Sequence, residues 1–231
     1  MNQTGEIRVK RTTGFGLLTV FLSLLILLSA YLAIRAEIAE LQNQTYLFKV
    51  VTMLLVIAVA WLAIDPPSYV YKRLIVVGLA ISLIGDVLLM VPADLFLPGL
   101  IVFLVAQIIY TFAFIKVGGF YRSIWGAFPF LIFGLVALYF LSPGLGDMIV
   151  PVLLYLVAIL IMVWQAFGQW RQNREIRALF ALVGAIFFVI SDTALAFNRF
   201  NAPIAQASLI VLATYYLAQW LIALSTGSDH R

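Results

Sequence analysis

Apolar runs of about twenty residues fill most of this chain, and they restrict its fold more than any other feature. A helix of ~20 apolar residues is long enough to cross the hydrocarbon core of a bilayer. Hydrophobic residues make up 65% of the 231 residues and charged residues only 10%, so little polar surface is available to cover a soluble globule. The sequence therefore predicts an all-α, polytopic membrane helix bundle.

Proline, glycine and charge clusters divide the chain into eight predicted transmembrane helices joined by short loops. Their approximate bounds are 14–34, 47–64, 73–91, 96–115, 123–141, 148–168, 178–197 and 203–225. We expect one transmembrane domain over residues 14–225, between a basic cytoplasmic tail of residues 1–13 and a cytoplasmic tail of residues 226–231. The first span resembles a signal peptide, but its ~20 apolar residues exceed the usual length of a cleaved apolar region, so we expect it to be retained.

The basic residues fall mostly on one side of these eight helices. With the N-terminus in the cytoplasm, the outer segments hold only Arg35, Lys49 and Arg199. The inner segments hold Arg8, Lys10, Arg11, Lys72, Arg73, Lys116, Arg122, Arg171, Arg174, Arg177 and Arg231. Because Lys and Arg accumulate in cytoplasmic loops, we expect both termini in the cytoplasm and a location in a bacterial inner membrane. This use of the basic residues leaves no reason to expect a nucleic-acid partner.

Two aspartates lie in the middle of predicted spans, Asp86 in the third and Asp192 in the seventh. Burying a carboxylate there costs at least ~2.5–3.5 kcal/mol, so each is a functional-site hypothesis. Shifting the chain by 106 residues aligns Asp86 with Asp192 and Gly78 with Gly184. We expect two parallel four-helix repeats, related by a pseudo-twofold axis along the membrane normal, that bring the two acids face to face.

Helix geometry places both acids at one depth. At 1.5 Å per residue, Asp86 lies about 20 Å from Arg73, and Asp192 lies about 22 Å from Arg177. Both arginines are on the predicted cytoplasmic side. The carboxylates are therefore expected in the outer half of the membrane.

Polar residues recur at helical spacing near the two acids. Gln107 and Tyr110 share a face of the fourth span, and Tyr215 and Gln219 are four residues apart on the eighth. Lys49 begins the second span on the outer side. We expect a polar cavity for a ligand with an anionic headgroup and an apolar tail. The candidate catalytic residues are Asp86 and Asp192, and the candidate substrate-binding residues are Lys49, Ser82, Gln107, Tyr110, Ser191, Asn198, Arg199, Tyr215 and Gln219.

At these residues the chain resembles the YhhN family. The matching stretches are residues 82–86 (SLIGD), 99–110 (GLIVFLVAQIIY), 191–200 (SDTALAFNRF) and 215–222 (YYLAQWLI), with Lys49 as a further match. They cover the third, fourth, seventh and eighth spans in the expected order. The sequence departs from the family pattern at Gln107, where many relatives have histidine, and at Val50, where proline is common.

Characterised members of that family are lysoplasmalogenases, so the resemblance implies hydrolysis of the vinyl ether bond of a lysoplasmalogen. The products are a fatty aldehyde and a glycerophospho-ethanolamine or -choline. A vinyl ether is cleaved when a general acid protonates the carbon β to the ether oxygen, which gives an oxocarbenium ion that water attacks. A protonated and an ionised carboxyl group supply the proton donor and the anion, as in glycosidases. Phe187 and Phe188 lie a turn below Asp192 and give it the more apolar flanks, which favours it as the donor, and Asp86 would stabilise the cation or orient the water.

The residue types leave other interpretations open. The chain has no cysteine and its one histidine is His230, so we expect no metal and no cofactor. The acids could be structural partners that fix helix packing, the serines could be small packing residues, and the buried amides and tyrosines could satisfy one another. Lys49 and Arg199 could extend to the interface from apolar helices. A transporter or lipid carrier with paired intramembrane acids is the alternative function. Membrane lipids and a lysophospholipid are the expected partners; the sequence does not indicate an oligomeric state.

Overall fold

A computed structural model of the chain describes the backbone of residues 3–227 and the side chains of residues 16–227. Within that range every regular element is helical. The α-helices are α1 (Gln3–Ile38), α2 (Gln42–Leu62), α3 (Tyr69–Met90), α4 (Phe96–Gly118), α5 (Ile124–Leu145), α6 (Ile149–Asn173), α7 (Ile176–Phe200) and α8 (Ala207–Leu224), with a short 3-10 turn (Gly146–Met148) between α5 and α6. The proposed tails at 1–13 and 226–231 fall largely outside the residues whose side chains are described.

The surface of the bundle is that of a multi-pass membrane protein. Seven helical segments in the described range are long and apolar enough to cross a bilayer, and one of them, Ile124–Asn173, contains α5, the turn and α6. Large apolar side chains are exposed around the bundle, among them Leu17 (70%), Leu135 (69%) and Trp125 (81%). Contiguous exposed apolar surface of this kind is stable only in contact with lipid or another protein.

Each predicted span coincides with one α-helix, and the differences lie at the helix ends. α6 continues to Asn173, beyond the apolar run, because an α-helix satisfies its own backbone hydrogen bonds and does not depend on apolar side chains to continue. α8 begins later than predicted, at Ala207. Pro203 precedes it, and Gln206 has a positive φ of 58°, so the chain makes a turn there before the helix starts.

Six of the helices form a closed ring of packed neighbours. Each packs against the next in the order α2, α3, α4, α6, α7, α8, and α8 packs against α2. α1 lies outside, against α2 and α8, and α5 lies outside, against α6 and α7. α5 has no comparable packing on α4, and Leu100 of α4 packs against the small apolar cluster of Leu141, Leu145 and Val152.

Glycines set the spacing of two helix pairs that carry the acids. A Cβ atom on Gly78 of α3 would lie 2.3 Å from the Tyr110 ring of α4. A Cβ atom on Gly184 of α7 would lie 2.8 Å from the carbonyl oxygen of Ala218 on α8. Small residues allow helices to approach closely in membranes, and these two glycines are also 106 residues apart.

The two ends of the bundle differ in their polar contacts. At one end, which we call the Lys49 end, Arg199 donates a hydrogen bond to Asp94 at 2.8 Å and joins the end of α7 to the loop between α3 and α4. At the opposite end, which we call the Lys72 end, the Lys72 ammonium donates to the Ala63 carbonyl at 2.7 Å. The charged pair at the Lys49 end thus connects segments that the sequence places on one side of the membrane.

Candidate active site

A cavity of about 280 Å³ opens in the half of the bundle nearer the Lys49 end. Its walls come from all eight α-helices of the described chain. Both aspartates line it, as predicted. The polar lining residues are Glu37, Lys49, Asp86, Tyr155, Ser191, Asp192, Thr193, Asn198, Ser208 and Tyr215.

Asp86 is held in the cavity by a tyrosine on another helix. The Tyr215 hydroxyl of α8 donates a hydrogen bond to Oδ2 of Asp86 at 2.7 Å. The Lys49 ammonium and the Asp192 carboxyl are both close enough to Asp86 to act on it electrostatically. Asp86 can therefore interact with a cation, an acid and a phenol within one site.

Asp192 has the corresponding arrangement on α7. The Tyr155 hydroxyl of α6 donates a short hydrogen bond to Oδ2 of Asp192. The Gln107 amide of α4 donates to the same oxygen at 3.4 Å. One residue earlier, the Ser191 hydroxyl donates to the Val211 carbonyl of α8 at 3.0 Å, so α7 is fixed to its neighbour next to the acid.

Four of the predicted substrate-binding residues, Ser82, Gln107, Tyr110 and Gln219, belong to two sets of hydrogen-bonded buried side chains behind the cavity wall, which together we call the buried network. The Tyr110 hydroxyl donates to Oε1 of Gln219 at 2.9 Å and lies 3.4 Å from the Ser82 hydroxyl. Gln107 connects to Asp192 as described, and all four residues are buried. None of them lines the cavity. The structure therefore brings them beside the acids, but not into the space that a ligand would occupy.

The buried network leaves two polar atoms without a hydrogen-bond partner in the described structure. They are Oε1 of Gln107 and Nε2 of Gln219. Both belong to amides whose other end contacts the network, at Asp192 and at Tyr110. A small polar molecule such as water would satisfy them.

The predicted substrate-binding residues Lys49, Asn198 and Arg199 separate into two groups. Lys49 and Asn198 line the cavity. Arg199 does not: its guanidinium binds Asp94 and lies 4.2 Å from the centre of the Phe96 ring. Its side chain is 41% exposed, so Arg199 joins surface segments next to the mouth of the cavity.

Four polar residues of the cavity were missed in the sequence, namely Glu37, Tyr155, Thr193 and Ser208. Tyr155 lies 106 residues after Lys49, the interval that also separates the aspartates, so the internal alignment could have identified it. Glu37 binds Lys49 through an ion pair of 2.9 Å. It follows the predicted end of the first span and was treated as part of an outer loop, whereas α1 continues through it.

The rest of the cavity is an apolar groove that leads away from the acids. On the α5 side it is lined by Phe133, Ala137, Leu138 and Leu141. Residues of α4 and α6 complete it, among them Leu100, Leu156 and Ile159. The groove runs between residues of α4, α5 and α6, and its apolar walls suit an alkyl chain.

The bundle and its cavity define a multi-pass α-helical membrane protein in which two aspartates of different helices line one amphipathic internal site. Comparison with known proteins identifies its family. The chain belongs to the YhhN family, whose model matches residues 44–226.

Its relatives include proteins with an assigned activity. The chain is 33% identical to lysoplasmalogenase TMEM86B of Homo sapiens over 169 residues, which cover 69% of this chain and 66% of that protein. It is 34% identical to lysoplasmalogenase TMEM86A of Homo sapiens over 165 residues, 65% of this chain and 64% of that protein. It is 28% identical to the uncharacterized membrane protein YhhN of Escherichia coli over 202 residues, 86% of this chain and 94% of that protein.

The match to the lysoplasmalogenases is partial. The chain spans slightly less than two thirds of the length of the human TMEM86B protein and 62% of the length of its relative from Sus scrofa. No solved structure is significantly similar to this one.

Proposed function

We propose that this protein is an intramembrane hydrolase that cleaves the vinyl ether bond of lysoplasmalogens. The observation that carries the proposal is that Asp86 and Asp192, on different helices, line a single cavity with a charged mouth and an apolar groove. A cavity of this kind suits a single-chain lipid with a polar headgroup. The names of the mammalian relatives support the same reaction.

The cavity suggests one orientation for such a lipid. Lys49 would bind the phosphate at the mouth, and the glycerol would lie deeper, between the headgroup and the acids. The alkenyl chain would occupy the groove along α5, between Phe133 and Leu141. This orientation brings the vinyl ether, which joins glycerol to the chain, close to the two carboxyl groups.

The reaction then needs a proton donor and an anion. We assign Asp192 as the donor and Asp86 as the ionised partner, because Lys49 is the one cationic residue among the described residues of the lining and acts on Asp86. Asp192 protonates the β-carbon of the vinyl ether, and the π electrons form the new C–H bond. The resulting oxocarbenium ion is stabilised by the Asp86 carboxylate.

Water completes the hydrolysis. It adds to the cationic carbon and gives up a proton, which returns the acid to its protonated form. The hemiacetal formed in this way breaks its bond to the glycerol oxygen, and this oxygen takes up the hydroxyl proton. The products are a fatty aldehyde and a glycerophospho-alcohol, and the sum of the steps consumes one water.

Aldehyde release from purified protein is the direct test. The protein, in detergent or nanodiscs, is given a lysoplasmenyl-ethanolamine and, as matched controls, the saturated ether and the acyl ester with the same chain and headgroup. We expect aldehyde from the vinyl ether and no cleavage of either control. Cleavage of the ester would indicate a lysophospholipase. Solute flux in proteoliposomes without any product would indicate the carrier function instead.

We further propose that the chain crosses the membrane eight times. The segment Ile124–Asn173 has 50 residues, or about 75 Å of helix at 1.5 Å per residue, against a hydrocarbon core of about 30 Å. α5 packs against α6, so the segment folds back on itself at the 3-10 turn. One transmembrane domain over residues 14–225 then contains all eight crossings.

The packing order supports two parallel four-helix repeats. The contacts α2–α3, α3–α4 and α4–α6 have counterparts in α6–α7, α7–α8 and α8–α2. This is the relation that a pseudo-twofold axis along the membrane normal would produce. We propose that the Lys49 end is extracytoplasmic and both termini cytoplasmic, in a bacterial inner membrane, because seven of the basic residues with described side chains lie in segments at the Lys72 end and three at the other.

A further inference from the structure

The loop between α4 and α5, at the Lys72 end of the bundle, is fastened to α6. Oε1 of Gln165 on α6 accepts a hydrogen bond from the backbone N–H of Tyr121 at 3.0 Å. Nε2 of the same glutamine donates to the Tyr121 carbonyl at 3.2 Å. A Cβ atom on Gly168 would lie only 2.2 Å from Cβ of Tyr121, so the loop lies directly against α6. These contacts hold the loop in one position.

A row of aromatic rings leads from this loop along α6 to a second arginine. The centres of the Tyr121 and Phe167 rings are 6.0 Å apart, and those of the Phe167 and Trp170 rings are also 6.0 Å apart. The Arg174 guanidinium lies 4.4 Å from the centre of the Trp170 ring. At the other end of the row, Arg122 directly follows Tyr121. We call these two arginines and the three rings between them the Arg122–Arg174 patch.

The positive charge of this patch is not balanced by nearby carboxylates. Arg122 and Arg174 are both exposed, and in the described part of the chain neither forms an ion pair. The Glu175 carboxylate, next in the chain, binds Arg177. Residues 96–174 contain one acidic residue, Asp147, and it lies between α5 and α6 at the Lys49 end. The patch therefore attracts anions.

The apolar surroundings of the patch favour a lipid over a soluble anion. Phe120 of the same loop and Trp125 of the first turn of α5 are each more than half exposed. Aromatic side chains of this kind lie at the depth of the lipid headgroups in membrane proteins. A soluble anion would use the arginines alone, whereas a phospholipid would also cover the exposed rings with its glycerol and acyl chains.

We propose that the Arg122–Arg174 patch binds a phospholipid with an anionic headgroup in the membrane leaflet at the Lys72 end. Guanidinium groups bind phosphate through paired N–H donors, and basic sites between transmembrane helices bind anionic headgroups. No residue of the patch lines the cavity with the two aspartates. The site is therefore separate from the candidate active site and does not depend on the proposed hydrolase function.

The test is lipid binding by the purified full chain in a non-ionic detergent, measured by native mass spectrometry. The two probes are phosphatidylglycerol and phosphatidylcholine with the same acyl chains. We expect the first phosphatidylglycerol to bind about tenfold more tightly than the first phosphatidylcholine, or better. Arg122→Gln and Arg174→Gln should each weaken phosphatidylglycerol binding about fivefold, which corresponds to about 1 kcal/mol for one basic residue near an anionic lipid. Arg122→Lys and Arg174→Lys keep the charge and should lose less.

Arg73→Gln is the matched control. Arg73 is exposed and lies in the first turns of α3, at the same end of the bundle. α3 has no comparable packing on α5 or α6, so Arg73 lies outside the patch. The same loss of charge there should leave the affinity for phosphatidylglycerol unchanged. An equal loss in Arg73→Gln would show that the general positive charge of this end attracts the lipid, and the proposal would be overturned.

Two further outcomes would contradict the proposal. Equal binding of phosphatidylglycerol and phosphatidylcholine by the native protein would show that the patch does not select an anionic headgroup. Displacement of phosphatidylglycerol by glycerophosphoglycerol, the same headgroup without acyl chains, would show that the patch is a site for a soluble anion. We expect no displacement, because the exposed rings contribute to binding only when acyl chains are present. Binding is measured without turnover, so the result does not depend on whether the protein releases an aldehyde.

Discussion

Tyr155 follows Lys49 by 106 residues, the interval that separates Asp192 from Asp86, and each of them interacts with the aspartate of its own half of the chain. Tyr155 donates a hydrogen bond to Asp192. Lys49 acts on Asp86 through its charge. The two positions correspond, but one half provides a neutral phenol and the other a cation. This difference is what allows two aspartates in similar helices to have different roles in the proposed reaction.

The first prediction concerns these aspartates. Asp86→Asn or Asp192→Asn should lower kcat about 100-fold or more, because Asn keeps the shape but can neither donate an acidic proton nor carry a negative charge. Aldehyde release measures the effect, and a thermal melt confirms folding. Asp147→Asn, at an exposed position outside the cavity, should have native activity. Near-native turnover in either of the first two variants would remove that aspartate from the mechanism.

The second prediction concerns the tyrosine that the sequence analysis missed. Tyr155→Phe removes the hydrogen bond to Asp192 and leaves the ring. We expect kcat to fall about tenfold, because this hydrogen bond becomes charge-assisted only as Asp192 gives up its proton in the reaction, with little change in KM. Tyr139→Phe serves as the control, because Tyr139 is 74% exposed and lies outside the cavity. A rise in KM with unchanged kcat would show that Tyr155 binds substrate and does not position the acid.

The third prediction separates recognition from chemistry at Lys49. Lys49→Ala should raise KM about tenfold and change kcat less, because the lost contact is made to the headgroup before and during the reaction. Steady-state kinetics with a lysoplasmenyl-ethanolamine measure both constants. Arg35→Ala removes a charge from an exposed position near the same end and should leave both unchanged. A fall in kcat alone would place Lys49 in the chemistry, and no effect would leave it as an interfacial residue.

The fourth prediction concerns the groove for the alkenyl chain. Ala137 of α5 is only 5% exposed and lines the groove, so Ala137→Phe should block part of it. Displacing two methylenes costs about 1.6 kcal/mol at ~0.8 kcal/mol each, which corresponds to about a tenfold loss of kcat/KM for long-chain substrates. Short-chain substrates should be affected less. The neighbouring Val136→Phe, at a position that is 50% exposed, is the control, and equal losses for both chain lengths would contradict this route.

The fifth prediction tests the orientation in the membrane. The chain has no cysteine, so single-cysteine variants need no altered background. Ala93→Cys, in the loop between α3 and α4, should react with an impermeant maleimide in intact cells. Gln172→Cys, at the end of α6, should react only after the membrane is opened. The reverse pattern would invert the proposed topology.

The helices and the two acids were predictable because both follow from local sequence. The length of each apolar run and the proline, glycine and charge clusters between the runs located each helix. An apolar run of this length must be helical, since in lipid the backbone must satisfy its own hydrogen bonds. The placement of Asp86 and Asp192 in one cavity followed from the internal alignment. The predicted helix ends were less accurate, as in α6, because helices continue past the apolar run that identifies them.

Which side chains line the cavity could not be predicted, because the spacing of residues along a helix does not determine how their side chains pack. Gln107 and Gln219 have the helical spacing of lining residues, but they are turned into contacts between helices. Arg199 was placed at the mouth by its position in the chain, and its partner Asp94, 105 residues away, holds it outside. Tyr155 resembles any aromatic residue of an apolar helix until its contact with Asp192 is known.

The apolar groove along α5 has a consequence for the fate of the proposed products. The glycerophospho-alcohol is polar and leaves by the charged mouth into water. The fatty aldehyde already lies in this apolar groove, and because its alkyl chain is poorly soluble in water we expect it to pass into the bilayer. There its carbonyl group meets the primary amines of neighbouring aminolipids, with which aldehydes condense to imines. Any reaction that oxidises or reduces this aldehyde before it modifies the membrane must therefore take place at the membrane itself.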